Sequence, residues 1–142
     1  MPMENEDVTM RRILTGARNL LSDPENWVQG PLAVDGRGVS VLPESETACA
    51  WCSLGAVDRE YFRMFPNRER QLNYMGLEQD DYLQTTVRCE LEEAIFWHTK
   101  GECRAVPRFN DRSETEHSEV LAVFDKAIAK LDKIVEANRK GK

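Results

Sequence analysis

Four cysteines and two histidines carry the richest side-chain chemistry in this 142-residue chain. Cys49-Ala50-Trp51-Cys52 has the C-x-x-C spacing of zinc sites and redox pairs. His98 and Cys103 would complete a quartet of soft and borderline ligands, which would make the chain a zinc-stabilised helical domain. The spacing argues against it. The C-x-x-C pair falls inside an expected helix, the other ligands are scattered, and Cys89 lies on the opposite side of its helix from His98. Ordinary buried or half-buried thiols are the simpler reading.

A second chemistry is nucleophilic. Cys52 near a helix start, with Arg59 and Arg63 further along the same strip, would have a lowered thiol pKa. His117 is a candidate base, one turn ahead of Val120 and Leu121, with Asn110 or Asp111 to orient its ring. Such a Cys52–His117–Asp111 set would serve a cysteine-dependent hydrolase or transferase. The competing reading has Cys52 as a tight-packing residue and His117 as part of a helix cap. His98, among Leu83, Val87, Leu91, Ala94 and Ile95, reads as a core histidine bonded to backbone. The chain has no P-loop, no dinucleotide glycine fingerprint, no H-E-x-x-H and no G-x-S-x-G. Glu114-Thr-Glu-His117 supplies one Glu-x-x-His, where a di-iron bundle needs two.

The elements that must position these residues are mainly helical. Val120, Leu121, Phe124, Ala127, Ile128, Leu131, Ile134 and Val135 recur at three- and four-residue spacing, one face of a long C-terminal helix. Ser113 with Glu116 has capping-box spacing, and Asp111 is an alternative cap. A first helix is expected over about Asp7–Leu21. A Gly- and Pro-rich stretch follows, in which Leu32–Val34 and Val39–Leu42 can pair as a hairpin around Asp35-Gly36. A second helix is expected from Ser45 or Thr47 to Phe65, closed by Pro66. Its broad apolar face is Ala50, Trp51, Leu54, Val57, Tyr61, Phe62 and Phe65, beside a strip of small residues, Ala48, Cys52, Gly55 and Ala56. Residues 67–77 read as a connection, with at most one helical turn, broken at Gly76. A third helix is expected over about Glu78–Thr99, and 104–112 as a loop. The fold class is mainly α: one domain over 1–142, a bundle of about four helices with a short extended or hairpin segment after the first. Residues 1–6 and 138–142 are expected to be frayed tails.

Composition narrows the function classes. Hydrophobic content of 41%, charged content of 31% and a net charge of −6 are those of a soluble globular chain. Phosphate binding usually needs a basic patch, so no nucleic-acid partner is expected. The Arg11–Arg12 and Arg68–Arg70 pairs sit among acids and read as solvated surface. No apolar run reaches the roughly 20 residues of a bilayer span, so no membrane partner is expected either. The acidic N-terminus lacks the apolar core of a signal peptide. A cytoplasmic location with reduced thiols follows as the expectation.

Three segments carry a family likeness: Trp27-Val-Gln29-Gly30 with Gly38; Trp51-Cys52-Ser-Leu-Gly55-Ala56; and Phe109-Asn110-Asp111 followed by Glu119-Val-Leu-Ala-Val-Phe124-Asp-Lys-Ala-Ile128. Together they resemble a family of short bacterial and phage proteins classed as a domain of unknown function. That family's hallmarks are G-W-x-Q-G, C-x-x-G-A and W-N-D leading into E-V-L-x-x-F-D-x-A-I. The likeness covers roughly residues 13–60 and 104–135. Asn26 and Phe109 depart from the pattern, and the cap threonine is displaced to Thr115. The resemblance implies no activity, substrate or cofactor. It implies that the Trp27-Gln29-Gly30 segment, the small residues around Cys52 and the Asn110-Asp111 turn meet. The resulting expectation is a small acidic accessory protein, with no cofactor, that binds another protein or a second copy of itself.

Overall fold

The computed structural model describes residues 6–72, 75 and 78–141. The first helix, α1, spans Glu6–Leu20 and buries Thr9, Met10, Ile13, Leu14 and Ala17, the stripe that helical periodicity demands. A single 3-10 turn over Pro24–Asn26 follows, opened by the Asp23 carboxylate accepting from the Glu25 N–H. The extended excursion then contributes β1, Ala33–Val34, which pairs antiparallel with β2, Ala50–Trp51. The expected hairpin within 32–42 shrinks to one bridge, Val34 to Ser40, closed by the Asp35 carboxylate on the Arg37 and Val39 amides. Ala33 and Val34 spend their remaining pairing on β2.

That pairing corrects the second helix. The helix α2 is Ser53–Met64, so it starts well after Ser45 or Thr47. The backbone of 50–52 is engaged elsewhere: Trp51 O accepts from Val28 N at 3.0 Å, and Cys52 N donates to Leu32 O at 3.1 Å. Ser45 and Thr47 make a local turn, with the Ser45 hydroxyl against both the Thr47 hydroxyl and its N–H. Ala50 and Trp51 are buried as expected, but from an extended segment.

Residues 67–77 hold no helical turn among those described. β3, Gln71–Leu72, pairs antiparallel with β4, Glu78–Gln79; Gly76 lies outside the described residues. The third helix, α3, is Tyr82–His98, starting four residues later than expected because Asp81 and Gln84 form its capping box. Gly101, at φ +86°, donates its N–H to Phe96 O and ends it. The expected loop of 104–112 contains a short helix instead, α4, Val106–Asp111, with Pro107 in its first turn where a missing N–H costs nothing.

The final helix, α5, is His117–Lys140 and so includes residues 138–140, while residues 1–5 and 142 of the expected tails lie outside the described residues. Its cap is neither Ser113 nor Asp111 but Glu116, whose N–H donates to Glu119 Oε2 at 3.0 Å. Helix α1 packs against α5 and α2, and α3 packs against α5. Phe109, Phe124, Leu14, Leu91 and Leu131 fill the shared core. Ion pairs seal the seams: Arg18 with Asp125, Arg11 with Asp132, and Lys130 with Glu90 and Glu93. Hydrogen bonds that Lys130 donates to the Glu93 and Glu90 carboxylates hold its pKa above its ordinary value. Among the described residues no helix is long and apolar enough to cross a membrane.

Candidate functional site

Asn110 is the centre of the region where the three motif segments meet. It is 1% exposed, at the end of α4, and its amide is saturated. Its Oδ1 accepts from Trp27 Nε1 at 2.8 Å, from Ser53 N at 3.0 Å and from the Ser53 hydroxyl at 2.7 Å. Its Nδ2 donates to Val28 O at 3.0 Å and to Asp111 Oδ1 at 2.9 Å. One side chain thus ties the segment after α1, the start of α2 and its own helix. Chains of bonds around one buried amide reinforce each other, and each becomes costly to lose.

The neighbours extend the junction. Gln29 Nε2 donates to Asn110 O at 3.0 Å and to Arg112 O at 2.9 Å, satisfying carbonyls at the α4 terminus. Gly30 donates its N–H to Asp111 Oδ1 at 2.8 Å. Its φ of +101° is the backbone state that glycine adopts without a Cβ penalty. Gly55 faces the Leu32 carbonyl so closely that a Cβ would run into the oxygen. Ala56, beside it, is completely buried. The strip of small residues therefore receives the backbone of the extended segment.

Cys52 is the N-cap of α2: its thiol accepts from Gly55 N at 3.3 Å. Burial pushes its pKa from 9.0 up to about 11, with the Asp111 and Asp58 carboxylates adding to the rise. The amides of Gly55 and Leu54 pull the other way and lose. This is the reverse of an activated nucleophile. His117 is committed as well. Its Nε2 lies 2.6 Å from Leu21 O, and a carbonyl can only accept, so Nε2 carries the proton. The ring caps the chain just past α1 and lies tilted against Trp27 at 6.0 Å. Asp111 is bound to Gly30 and Asn110. Cys52, His117 and Asp111 therefore share one neighbourhood while each serves a different structural partner.

The zinc candidates separate. Cys49 and Cys89 are exposed, Cys52 and Cys103 buried, and all four are free thiols. The Cys103 amide is bound to the Thr99 hydroxyl. Among the described residues no three His, Cys, Asp or Glu side chains gather closely enough to hold a metal. His98 is half-buried rather than core, and bonds the Glu119 carboxylate at 3.2 Å instead of backbone. Glu119 is held below the usual carboxylate range, first by the Glu116 N–H and then by His98.

Ser53 is the contributor that residue type and spacing did not single out. Its N–H and hydroxyl both enter the Asn110 junction, and an S after the motif cysteine is the only sequence trace. A second feature was also unmarked: a cavity of about 640 Å³ bounded by the end of α2, residues 68–71, β4 and the start of α3. Arg68 and Arg70, read as solvated surface, belong to it. Arg70 has only 17% of its side chain exposed, and it lies over the Phe62 ring at 4.8 Å while holding Glu44 and Asp58.

The chain belongs to a family of unknown function, DUF6197, which matches residues 5–130. No curated protein and no solved structure matches it.

Proposed function

We propose that the protein is a small cytoplasmic accessory protein that acts by binding a partner, without covalent chemistry. The observation that carries this reading is the commitment of every motif side chain to the fold. Asn110 has no open donor or acceptor, the Cys52 thiol is buried with its pKa pushed up to about 11, and His117 Nε2–H donates to Leu21 O. Side chains used up in this way hold the architecture and leave binding to the rest of the surface. The acidic net charge of −6 favours a partner with basic groups. A phage or bacterial setting fits the short, accessory character of the chain.

The test pairs cross-linking capture in the native host with an activity screen against amides and thioesters. The expected result is a specific cross-linked partner that purified partner reconstitutes, and no turnover. Turnover that disappears in Cys52→Ser, with no partner recovered, would overturn the reading.

A further inference from the structure

The cavity beside α2 and α3 has the size of a small-molecule site, since such pockets run from roughly 300 to 1,000 Å³. Its wall is aromatic: Tyr61 and Phe62 are almost wholly buried, Phe65 is half-buried, and Tyr82 stands at the rim, 73% exposed. The protein already lays flat cations on this wall. The Arg68 guanidinium lies 4.1 Å from the Phe65 ring centroid and 5.6 Å from that of Tyr61, and Arg70 covers Phe62. Tyr82, by contrast, has no ring or cation partner among the described residues.

Charge decides what the open face would take. The cavity is lined by four acids, Glu6, Glu69, Asp80 and Asp81, and by two arginines. Both arginines are answered: Arg68 by Asp81 at 3.0 Å, and Arg70 by Glu44 and by Asp58, neither of which lines the cavity. Asp80 is answered by Arg88 at 2.6 Å. Glu6 and Glu69 form no ion pair among the described residues. The lining is thus an aromatic wall with a surplus of negative charge.

We propose that this cavity binds an organic cation with an aromatic or apolar body. The body packs on Tyr82 and the adjoining wall, and its ammonium or guanidinium group is balanced by Glu6 and Glu69. The proposal rests on the reading of the protein as a binder and gives that binding a place and a chemistry.

Titration of the full chain, followed by amide NMR shifts, tests it with three isosteric probes: 2-phenylethylammonium, neutral 2-phenylethanol and anionic phenylacetate. The cation is expected to shift amides of the cavity lining and to bind at least about fivefold more tightly than the alcohol. Phenylacetate should bind most weakly. The double substitution Glu6→Gln and Glu69→Gln should reduce cation affinity by about three- to tenfold and leave the alcohol unchanged. Tyr82→Ala should weaken both. All three positions are exposed, so circular dichroism is expected to show an unchanged fold. Equal or tighter binding of phenylacetate, shifts clustered away from the cavity, indifference to the double substitution, or no binding of the cation at millimolar concentration would each overturn the proposal. Any of those failures leaves the non-covalent reading intact, because that reading is tested on partner capture and on Cys52-dependent turnover.

Discussion

The Asn110 junction and the cavity behind Tyr82 lie on the same scaffold and use their polar groups in opposite ways. At the junction, donors and acceptors from three segments close on each other, and the Asn110 amide has no capacity left to meet a ligand. At the cavity, two arginines and two aspartates are paired off while an aromatic ring and two carboxylates remain open to solvent. Catalytic residue types, cysteine, histidine and aspartate, crowd the first region. The difference teaches that residue type locates a constrained region, whereas unspent bonding capacity locates a working one.

Breaking the junction should cost most at its hub. Asn110→Ala strands the Trp27 indole N–H, both Ser53 donors and the Val28 carbonyl, and is expected to destabilise the protein by about 3–5 kcal/mol in urea unfolding. Loss of less than about 1 kcal/mol would mean that the hub is not what holds the segments. Gly55→Ala comes next, because its methyl group meets a backbone carbonyl that cannot swing away. Overpacking of that kind costs about 1–3 kcal/mol, and a thermal melt of the variant checks it.

A smaller effect distinguishes the α5 start, where Glu119 has its pKa lowered in the folded state. A depressed carboxylate contributes stability above its unfolded pKa, near about 4.3, and that contribution is lost as pH falls through the folded value. Glu119→Gln should therefore lower stability at pH 7 and change little below the folded pKa, which flattens the acid limb of the stability curve. The smallest stability effect is expected at the cavity rim. Tyr82→Ala should stay within about 0.5 kcal/mol of the native protein, since an exposed ring with no partner supports nothing. A large loss there would erase the contrast between the two regions.

Much of the fold is legible in the sequence where a helix buries a regular stripe. The α5 residues Val120, Phe124, Ala127, Leu131 and Val135 are all buried, and α1 falls within a residue of its expected bounds. Val123 is the one fully buried position its stripe omitted. The boundaries that shifted are those set by partners distant in sequence. Ala50 and Trp51 fit an amphipathic helix by spacing, yet β1 and Val28 claim their backbone. α4 was hidden because six residues show no period.

The candidate site divides in the same way. Trp27, Gln29, Gly30, Asn110 and Asp111 stood out through motif likeness and are joined by hydrogen bonds, while Cys52, from the same likeness, caps α2 next to Ser53. The roles of Ser53 and of the Glu116 cap depend on which neighbour reaches them, which spacing does not encode. The cavity was illegible because its walls come from α1, α2, β4 and α3 at once, and a basic pair such as Arg68 and Arg70 looks alike whether solvated or stacked.

Alkylation of the native protein decides between a spent junction and an active site. With iodoacetamide at pH 7 to 8 and peptide mass spectrometry, exposed Cys49 and Cys89 should be labelled first. A thiol raised from 9.0 to about 11 holds roughly a hundredfold less thiolate than an ordinary one, so Cys52 should react at least about 100 times more slowly until the protein is denatured. Labelling of native Cys52 ahead of Cys49, and below neutral pH, would contradict the account and restore the cysteine as a nucleophile.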